Sequence, residues 1–175
     1  DASTQAMIKA WFGDTTTTSY KSFRDELNKV DSKVYNVIIN SLGGHVGDAM
    51  AIHDLLVELQ NKGKIVNTIG RGIVASSATF ILMAGKAPQM SANSWFMMHT
   101  VSGGVFGTVD QVENYAVTMR KFNNSARDLY AVKSGLRKEE VTKLMDAETW
   151  LTAKEAKEKG LVSQVDENAK FENLI

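Results

Sequence analysis

Two successive units of strand, glycine turn and helix limit the folds that this chain can adopt. Residues 34–40, VYNVIIN, are rich in β-branched and apolar side chains, which predicts a strand buried on both faces. The glycine-rich turn SLGGHVGD follows, and then an amphipathic helix that ends near Gly63. A second strand, residues 65–70, leads through the segment RGIVAS into an apolar helix. This alternation of strands and helices predicts an α/β fold with right-handed crossovers.

A long amphipathic helix is predicted in the second half of the chain, from about residue 109 to residue 134. Its apolar side chains recur every three or four positions, in a longer stripe than one small domain covers. Part of this helix is therefore expected to pack on another subunit. The 175 residues suit one domain with a core at about residues 34–165 and a polar tail at about residues 166–175. A strand-like segment, AMIKAWFG, lies before the core at residues 6–13.

Two adjacent hydroxyl groups, on Ser76 and Ser77, stand where the second apolar helix is predicted to begin. One interpretation is a helix N-cap, because a serine oxygen accepts a backbone N–H that has no partner within the helix. The other is a nucleophile on a tight turn at the positive end of the helix dipole. Taken alone, the segment RGIVASSATFILMAGK favours the cap, and the rest of the chain has to decide.

A histidine at the end of an apolar strand is the best candidate for a catalytic base. His99 follows residues 95–98 and precedes a glycine-containing loop, where active-site groups commonly lie, although a core histidine bonded to backbone fits equally. Ser–His catalysis needs a hydroxyl, an imidazole that takes its proton, an orienting carboxylate and N–H donors for the oxyanion. Gly43 and Gly44 can supply such donors, because a backbone without Cβ approaches a substrate closely.

The two other histidines of the chain are weaker candidates. His45 directly follows the glycine pair, where it could line a cleft, but the sequence offers it no obvious partner. His53 lies in the amphipathic helix beside Asp54 and is expected on the solvated face of that helix.

Composition excludes several functions. The 20 basic and 20 acidic side chains balance, so no global field attracts nucleic acid or an anionic membrane. The absence of cysteine excludes disulfides, thiol catalysis and cysteine-ligated metal sites. No apolar run reaches the roughly 18 residues of a membrane helix, and no signal peptide is visible. These features predict a cytoplasmic protein without metal or cofactor, although a first residue of Asp rather than Met fits removal of a preceding segment.

Four ordered motifs carry a resemblance to a known family. Their order and spacing resemble those of the Clp protease proteolytic subunit family, in the motifs VIINSLGGHVGDAMAIHDLL, RGIVASSATFILMAG, NSWFMMH and ETWLTAKEAKEKGLV. Within that family the chain is most similar to the phage-type branch, the Clp-like head maturation proteases. The resemblance covers about residues 34–165 and implies a spiral of β-β-α units shared with crotonases. It also implies a self-compartmentalising serine endopeptidase, in which the long helix is a handle between stacked rings of a homo-oligomer.

The resemblance also implies roles for individual residues. Ser76, after the small residues of GIVAS, is identified as the nucleophile, and His99 as the general base. The oxyanion hole is assigned to the backbone N–H groups of Gly43 and Ser77. The polypeptide substrate is expected along the glycines Gly44, Gly103 and Gly104.

The chain departs from the family pattern in several places. Leu42 stands where the family usually has proline, and the loop after His99 is one residue longer than in the housekeeping branch. Where that branch has its triad aspartate, this chain has Glu148, with Asp146 two residues earlier. Glutamate orients histidine in some hydrolases, so Glu148 is the predicted acid, Asp146 the alternative and a Ser–His dyad the third option. No counterpart of the N-terminal loops that meet an ATPase is visible, which favours a stand-alone protease without excluding an ATPase partner.

Three other functions compete with the protease. A crotonase-type hydratase or isomerase acting on acyl-CoA shares the fold and the oxyanion hole, but it needs no nucleophilic serine. The Ser–Lys signal-peptide-digesting peptidases are related in fold and are normally tethered to a membrane. An inactive ring-forming scaffold is the non-enzyme alternative, because the acid position departs from the family. Covalent labelling of Ser76 by a fluorophosphonate favours the protease, whereas saturable binding of CoA favours the hydratase.

Overall fold

The computed structural model describes residues 18–169 and divides the chain into two compact units. The first unit, Asp1–Asp31, contains helix α1, Tyr20–Leu27. The second unit, Ser32–Ile175, contains the whole of the core predicted at residues 34–165. The organisation of the chain as one domain stays a prediction.

The second unit alternates strands and helices along the chain. Its elements are, in order, β1 Val34–Ser41, α2 Val46–Asn61, β2 Ile65–Ala75, α3 Ala78–Met83, β3 Gln89–Ser91, β4 Trp95–Met98, α4 Val109–Ser134, α5 Lys138–Asp146, β5 Thr149–Thr152, α6 Ala153–Glu158, β6 Gln164–Asp166 and a 3₁₀ turn at Glu167–Ala169. This alternation confirms the predicted α/β class.

Six strands form one mixed sheet around the long strand β2. Strands β1, β3 and β4 each pair with β2 in parallel, and β6 pairs in parallel with β3. Strand β5 runs antiparallel to its neighbour β4. Because β2 and β4 run in parallel and end side by side, the residues that follow them, Ser76 and His99, lie at the same edge of the sheet.

Strand β1 is buried on one face only, so the prediction that both its faces are buried is wrong. Tyr35 and Ile39 are buried, whereas Ile38 is 55% exposed. Ile39 belongs to the same hydrophobic core as Ala49 of α2 and Phe80 of α3. Successive side chains of a strand point to opposite faces, and among residues 32–169 the helices that pack on β1 cover one of its faces.

Strand β2 extends well past residue 70, where the sequence predicts its end. Its register with β1 shifts after Ile39, near Gly72, whose φ of +65° lies in the left-handed region. Asn40 Oδ1 closes this irregularity by accepting the N–H of Ile73 at 3.1 Å. The segment predicted as a turn is therefore strand, and the true break comes after it.

Helix α4 confirms the long helix predicted at residues 109–134. Thr108 caps its first turn, and Gly135, with φ of +76°, terminates it. Of its 26 residues only Ala126 and Tyr130 are buried. Most of the helix is therefore left uncovered by the part of the chain that the structure describes.

The predicted polar tail, residues 166–175, begins inside the sheet. Asp166 is the last residue of β6 and pairs with Ser91 of β3. Residues 170–175, like the strand-like segment at residues 6–13, lie outside the described residues. In the described part of the chain, no helix has both the length and the apolar character that crossing a membrane requires.

Candidate active site

Ser76 lies between β2 and α3 in a backbone conformation that non-glycine residues rarely adopt. Its φ is +56°, in the left-handed region. Such a conformation costs roughly 1–3 kcal/mol and persists only where the surrounding structure holds it. Here the N–H of Ser76 donates to the carbonyl of Met97 on β4 at 2.9 Å. A sharp turn between strand and helix of this kind presents a serine hydroxyl at the end of a sheet.

The hydroxyl of Ser76 meets the imidazole of His99. Ser76 Oγ lies 2.7 Å from His99 Nε2. The two residues are neighbours because Ala75 on β2 is in register with Met97 on β4, so both strands deliver their next residues to one place. With the imidazole proton on Nδ1, Oγ–H donates to Nε2, which is the arrangement needed to remove the serine proton during nucleophilic attack.

Ser77 has a different role from its neighbour. It precedes α3, but its side chain makes no capping hydrogen bond to that helix. Ser77 Oγ instead accepts the N–H of Gly44 at 2.9 Å and lies 3.2 Å from the Gly44 carbonyl oxygen. Ser77 Oγ therefore does not cap the helix. It hydrogen-bonds the glycine turn after β1 to the turn after β2.

The two predicted oxyanion donors, Gly43 and Ser77, lie close together but differ in their present partners. A Cβ added to Gly43, whose φ is +99°, would lie 2.6 Å from Ser76 Cβ and 3.1 Å from Ser77 N. The N–H of Gly43 donates to Ser41 Oγ at 3.1 Å. The N–H of Ser77 makes no hydrogen bond to another residue in the described part of the chain. The N–H of Ser77 is thus open to an incoming oxyanion, whereas the N–H of Gly43 is bonded to the Ser41 hydroxyl.

The predicted acid, Glu148, stands one position beyond the sheet register that leads to His99, and it makes no hydrogen bond to the imidazole. The last pair between the antiparallel strands β4 and β5 is Met98 with Thr149. The next residue after β4 is therefore His99, and the residue just before β5 is Glu148. Glu148 has a positive φ, +48°, as does the serine of the pair. Glu148 and Asp146 are both exposed, and among residues 18–169 no hydrogen bond joins either carboxylate to the imidazole.

The two other histidines take structural positions. His45 is the N-cap of α2, where its Nδ1 accepts the N–H of Asp48 at 3.2 Å. The His53 side chain is only 20% exposed, and its Nδ1 lies 3.0 Å from Asp54 Oδ1. The prediction of a solvated His53 is therefore wrong. Among the described residues, no group of three or more His, Cys, Asp or Glu side chains could hold a metal ion.

A small cleft opens beside the pair of Ser76 and His99. Its other walls are Gly44, Val46, Ser77, Phe80, Val101, Ser102 and Tyr130. Of the predicted substrate glycines only Gly44 is among these residues, because Gly103 and Gly104 lie further along the segment that follows β4. Tyr130 is a further residue of this cleft that was not predicted from the sequence. The helical period places it in the apolar stripe of α4, but no local signal shows which member of the stripe reaches the cleft.

The chain is similar to proteins of one known family over most of its length. The family model described as Clp protease matches residues 23–169. This chain belongs to the Clp protease family. The match includes the serine, the histidine and the predicted acid.

Individual Clp proteins show the extent of the similarity. The ATP-dependent Clp protease proteolytic subunit 3 of Rhizobium etli is 34% identical over 137 residues, which are 77% of this chain and 68% of that protein. Subunit 2 of Treponema denticola is 32% identical over 141 residues, 79% of this chain and 69% of that protein. A solved structure of a ClpP1 mutant from Listeria monocytogenes has a TM-score of 0.71 and 27% identity, and the match covers 86% of this chain and 82% of that one.

These relatives confirm the Clp-type α/β fold and the predicted class of enzyme, a serine peptidase. The two relatives are bacterial proteolytic subunits. Membership of the phage-type branch within the Clp family therefore stays a prediction.

Proposed function

We propose that this Clp-family chain hydrolyses peptide bonds with Ser76 as the nucleophile and His99 as the general base. The observation that carries the proposal is the 2.7 Å contact between Ser76 Oγ and His99 Nε2, within reach for proton transfer. Ser76 Oγ bonds to the substrate carbonyl carbon while its proton passes to Nε2. The imidazolium then protonates the leaving amine as the C–N bond breaks. Water then bonds to the acyl carbon while Nε2 takes its proton, and the imidazolium passes that proton to Oγ as the ester C–Oγ bond breaks.

Backbone N–H groups of the two turns stabilise the oxyanion in this proposal. Ser77 N–H is the first donor, since it has no other partner among the described residues. Gly43 N–H is the second donor, and the substrate oxygen replaces Ser41 Oγ as its acceptor. Removing one such donor from a serine protease costs about 100-fold or more in rate, so both turns matter to the reaction.

Glu148 is the proposed acid that orients His99. Its place one position beyond the register that leads to His99 and its unusual φ of +48° support this role, because strained residues cluster at active sites. The carboxylate is exposed and makes no hydrogen bond to the imidazole, so this role requires it to move towards His99 Nδ1 when substrate binds. Asp146 is the alternative acid, and a Ser–His dyad is the remaining option.

We also propose that the chain forms a homo-oligomer of stacked rings that encloses polypeptide substrates. Large apolar side chains are exposed along helix α4, namely Val109, Val112, Val117 and Val132. The open face of the sheet adds Val34, Ile38 and Ile65. A contiguous exposed apolar patch normally marks an interface, and rings stacked through α4 would cover the first group. In this assembly Gly103 and Gly104 would bind the part of the polypeptide substrate that extends beyond the cleft.

Head maturation in a phage is the specific role to which the resemblance points, with a capsid polypeptide as substrate in the cytoplasm of an infected cell. The names of the relatives describe them as ATP-dependent. We propose that this chain acts without an ATPase partner. Hydrolysis of an unfolded full-length polypeptide by the purified chain, at the same rate with and without ATP and an unfoldase, supports this proposal. Hydrolysis that requires the unfoldase contradicts it.

A crotonase-type hydratase or isomerase is the second candidate on this fold. That chemistry uses an oxyanion hole but needs no activated serine. A serine held at φ of +56° and bonded to a histidine is therefore unexplained by the hydratase. An inactive scaffold leaves the same feature unexplained.

The experiment that tests the proposed function is labelling with a fluorophosphonate, followed by mass spectrometry of the modified peptide. We expect modification of Ser76 in the wild type, no modification of Ser76→Ala, and retained modification of Ser77→Ala. Peptide hydrolysis should fall by several orders of magnitude in Ser76→Ala. A wild-type protein that stays unlabelled and binds CoA saturably would instead support the hydratase.

A further inference from the structure

We propose that Thr79 and Tyr130 are positioning residues that hold the carbonyl of Ser76 and so set the direction of its hydroxyl. Tyr130 belongs to helix α4, so the long exposed helix becomes part of the apparatus that orients the nucleophile. This inference rests on the proposed function, in which Ser76 is the nucleophile. Neither of the two hydroxyl groups is hydrogen-bonded to Ser76 Oγ or to the His99 imidazole.

Two consecutive hydrogen bonds connect helix α4 to the nucleophile. Thr79 Oγ1 donates to the backbone carbonyl of Ser76 at 2.5 Å. Tyr130 Oη lies 2.6 Å from Thr79 Oγ1. A threonine hydroxyl has one proton, and here the carbonyl of Ser76 takes it. The phenol of Tyr130 is therefore the donor in the second bond, and the two bonds point in one direction, towards Ser76.

The far end of this connection is fixed in place. Tyr130 is 1% exposed, and its ring packs against Phe80 at a centroid distance of 5.8 Å and against Phe96 at 6.4 Å. Burial raises the pKa of Tyr130, so the phenol keeps its proton and remains a donor at neutral pH. Phe96 belongs to β4, the strand that leads to His99. Tyr130 thus packs against the helix that follows the serine and against the strand that leads to the histidine.

Ser76 needs such an anchor because its backbone is strained. Its N–H is held by the Met97 carbonyl at 2.9 Å, and its carbonyl is held by the N–H of Thr79 at 3.0 Å as well as by Thr79 Oγ1. Without the hydroxyl of Thr79, the carbonyl keeps one of its two bonds. Rotation of the peptide after Ser76 then moves Oγ relative to His99 Nε2, and attack depends on that geometry.

Helix α4 also holds the chain that follows the histidine. Asn123 Oδ1 accepts the N–H of Val101 at 2.7 Å. Val101 is two residues beyond His99 and lines the cleft. The same helix therefore contacts the backbone on both sides of the pair of Ser76 and His99, through Tyr130 by way of Thr79 and through Asn123.

A purely structural explanation predicts something different for the same residues. Buried hydroxyl groups are nearly always hydrogen-bonded, so Thr79 and Tyr130 could bond each other only to avoid an unsatisfied polar group. In that case their removal lowers stability and leaves the chemical step unchanged. The two explanations are separated by measuring kcat, KM and thermal unfolding in the same set of variants.

Four variants make the test. Thr79→Val removes the hydroxyl and keeps the shape, whereas Thr79→Ser keeps the hydroxyl. Tyr130→Phe removes the phenol oxygen and keeps the ring contacts. Thr68→Val is the matched control, because Thr68 is fully buried and its Oγ1 donates to the Leu82 carbonyl at 2.6 Å, at the other end of the same helix α3.

We expect kcat for a peptide substrate to fall roughly 10- to 100-fold in Thr79→Val, with KM within about twofold of the wild type. Thr79→Ser should recover most of that loss. Tyr130→Phe should lower kcat by a smaller factor, since Thr79 can still donate to the Ser76 carbonyl. Thr68→Val should keep the wild-type kcat while its Tm falls by roughly 2–8 °C, as does that of Thr79→Val.

The outcomes that overturn the inference are distinct from those that overturn the proposed function. A wild-type kcat in Thr79→Val shows that the hydroxyl is only structural, and an equal loss of kcat in Thr68→Val shows a general effect of destabilisation. An unchanged kcat in Tyr130→Phe shows that helix α4 does not contribute to orienting Ser76, and this variant decides the question if Thr79→Val does not fold.

Absence of fluorophosphonate labelling at Ser76 in the wild type overturns the proposed function and this inference together. If the wild type is labelled at Ser76 and the Thr79→Val and Tyr130→Phe variants keep the wild-type kcat, only this inference is overturned.

Discussion

Replacing Gly43 by alanine is expected to disable the nucleophile while leaving the chain folded. The new Cβ would lie 2.6 Å from Ser76 Cβ and 2.8 Å from the Ala75 carbonyl oxygen. Carbon atoms in contact lie about 3.5–4.0 Å apart, so the two turns must separate by roughly 1 Å. Neither neighbour is the end of a flexible side chain, so the displacement falls on the backbone around Ser76.

The structure allows the size of both effects to be worked out. A misplacement of about 1 Å at a reacting group costs about 100-fold in rate, which corresponds to about 2.7 kcal/mol of activation free energy. An alanine at the Gly43 φ of +99° lowers the free energy of unfolding by about 1–2 kcal/mol. The steric overlap adds about 1–3 kcal/mol. We therefore expect a loss of about 2–5 kcal/mol in stability together with the loss in rate.

Gly63 provides a control for the backbone strain. Its φ is +80°, and a Cβ there meets no atom within 4 Å, so Gly63→Ala should lower the free energy of unfolding by about 1–2 kcal/mol at an unchanged rate. The assay is the second-order rate of fluorophosphonate labelling, measured beside denaturant unfolding of each variant. If Gly43→Ala is labelled as fast as wild type and is no less stable than Gly63→Ala, the close approach of the two turns is not what positions Ser76.

Three further predictions concern the acid, the assembly and a helix cap. Glu148→Gln should lose up to about ten-thousand-fold in kcat, with Asp146→Asn as the control. If Asp146→Asn loses activity and Glu148→Gln keeps it, Asp146 is the acid. If both variants stay active, the enzyme works as a Ser–His dyad. Light scattering at micromolar concentration should show a large homo-oligomer, whereas a clean monomer contradicts the role given to helix α4. Glu155 accepts the Thr152 N–H and hydroxyl, each at 2.8 Å, which lowers the pKa of Glu155 below its usual 4.5. Its stabilising effect is present above pH 4.5 and is lost as the pH falls through the lowered pKa, so Glu155→Gln should lower Tm at pH 7 by an amount that shrinks as the pH is lowered below 4.5.

Helix α4 and the candidate pair show how much the sequence could predict. The apolar period of the helix recurs over its 26 residues, and both of its ends are found where they were predicted. Ser76 and His99 each carry a local signal, a small-residue turn for one and the end of an apolar strand for the other. Ser77 carries the same local signal as Ser76, and only its bonds to Gly44 show that it fastens two turns together.

The partners of side chains were decided by the tertiary structure. Ser76 and His99 are 23 positions apart, and the parallel register of β2 and β4 brings them together. Thr79 and Tyr130 are 51 positions apart, and they meet because α4 packs against α3. The open face of β1 depends in the same way on which elements cover the sheet. Periodicity and turn chemistry act over a few neighbouring residues, so they identify most helices and strands and the candidate residues. Packing joins distant parts of the chain, and the contacts between those residues therefore depend on how the strands and helices pack.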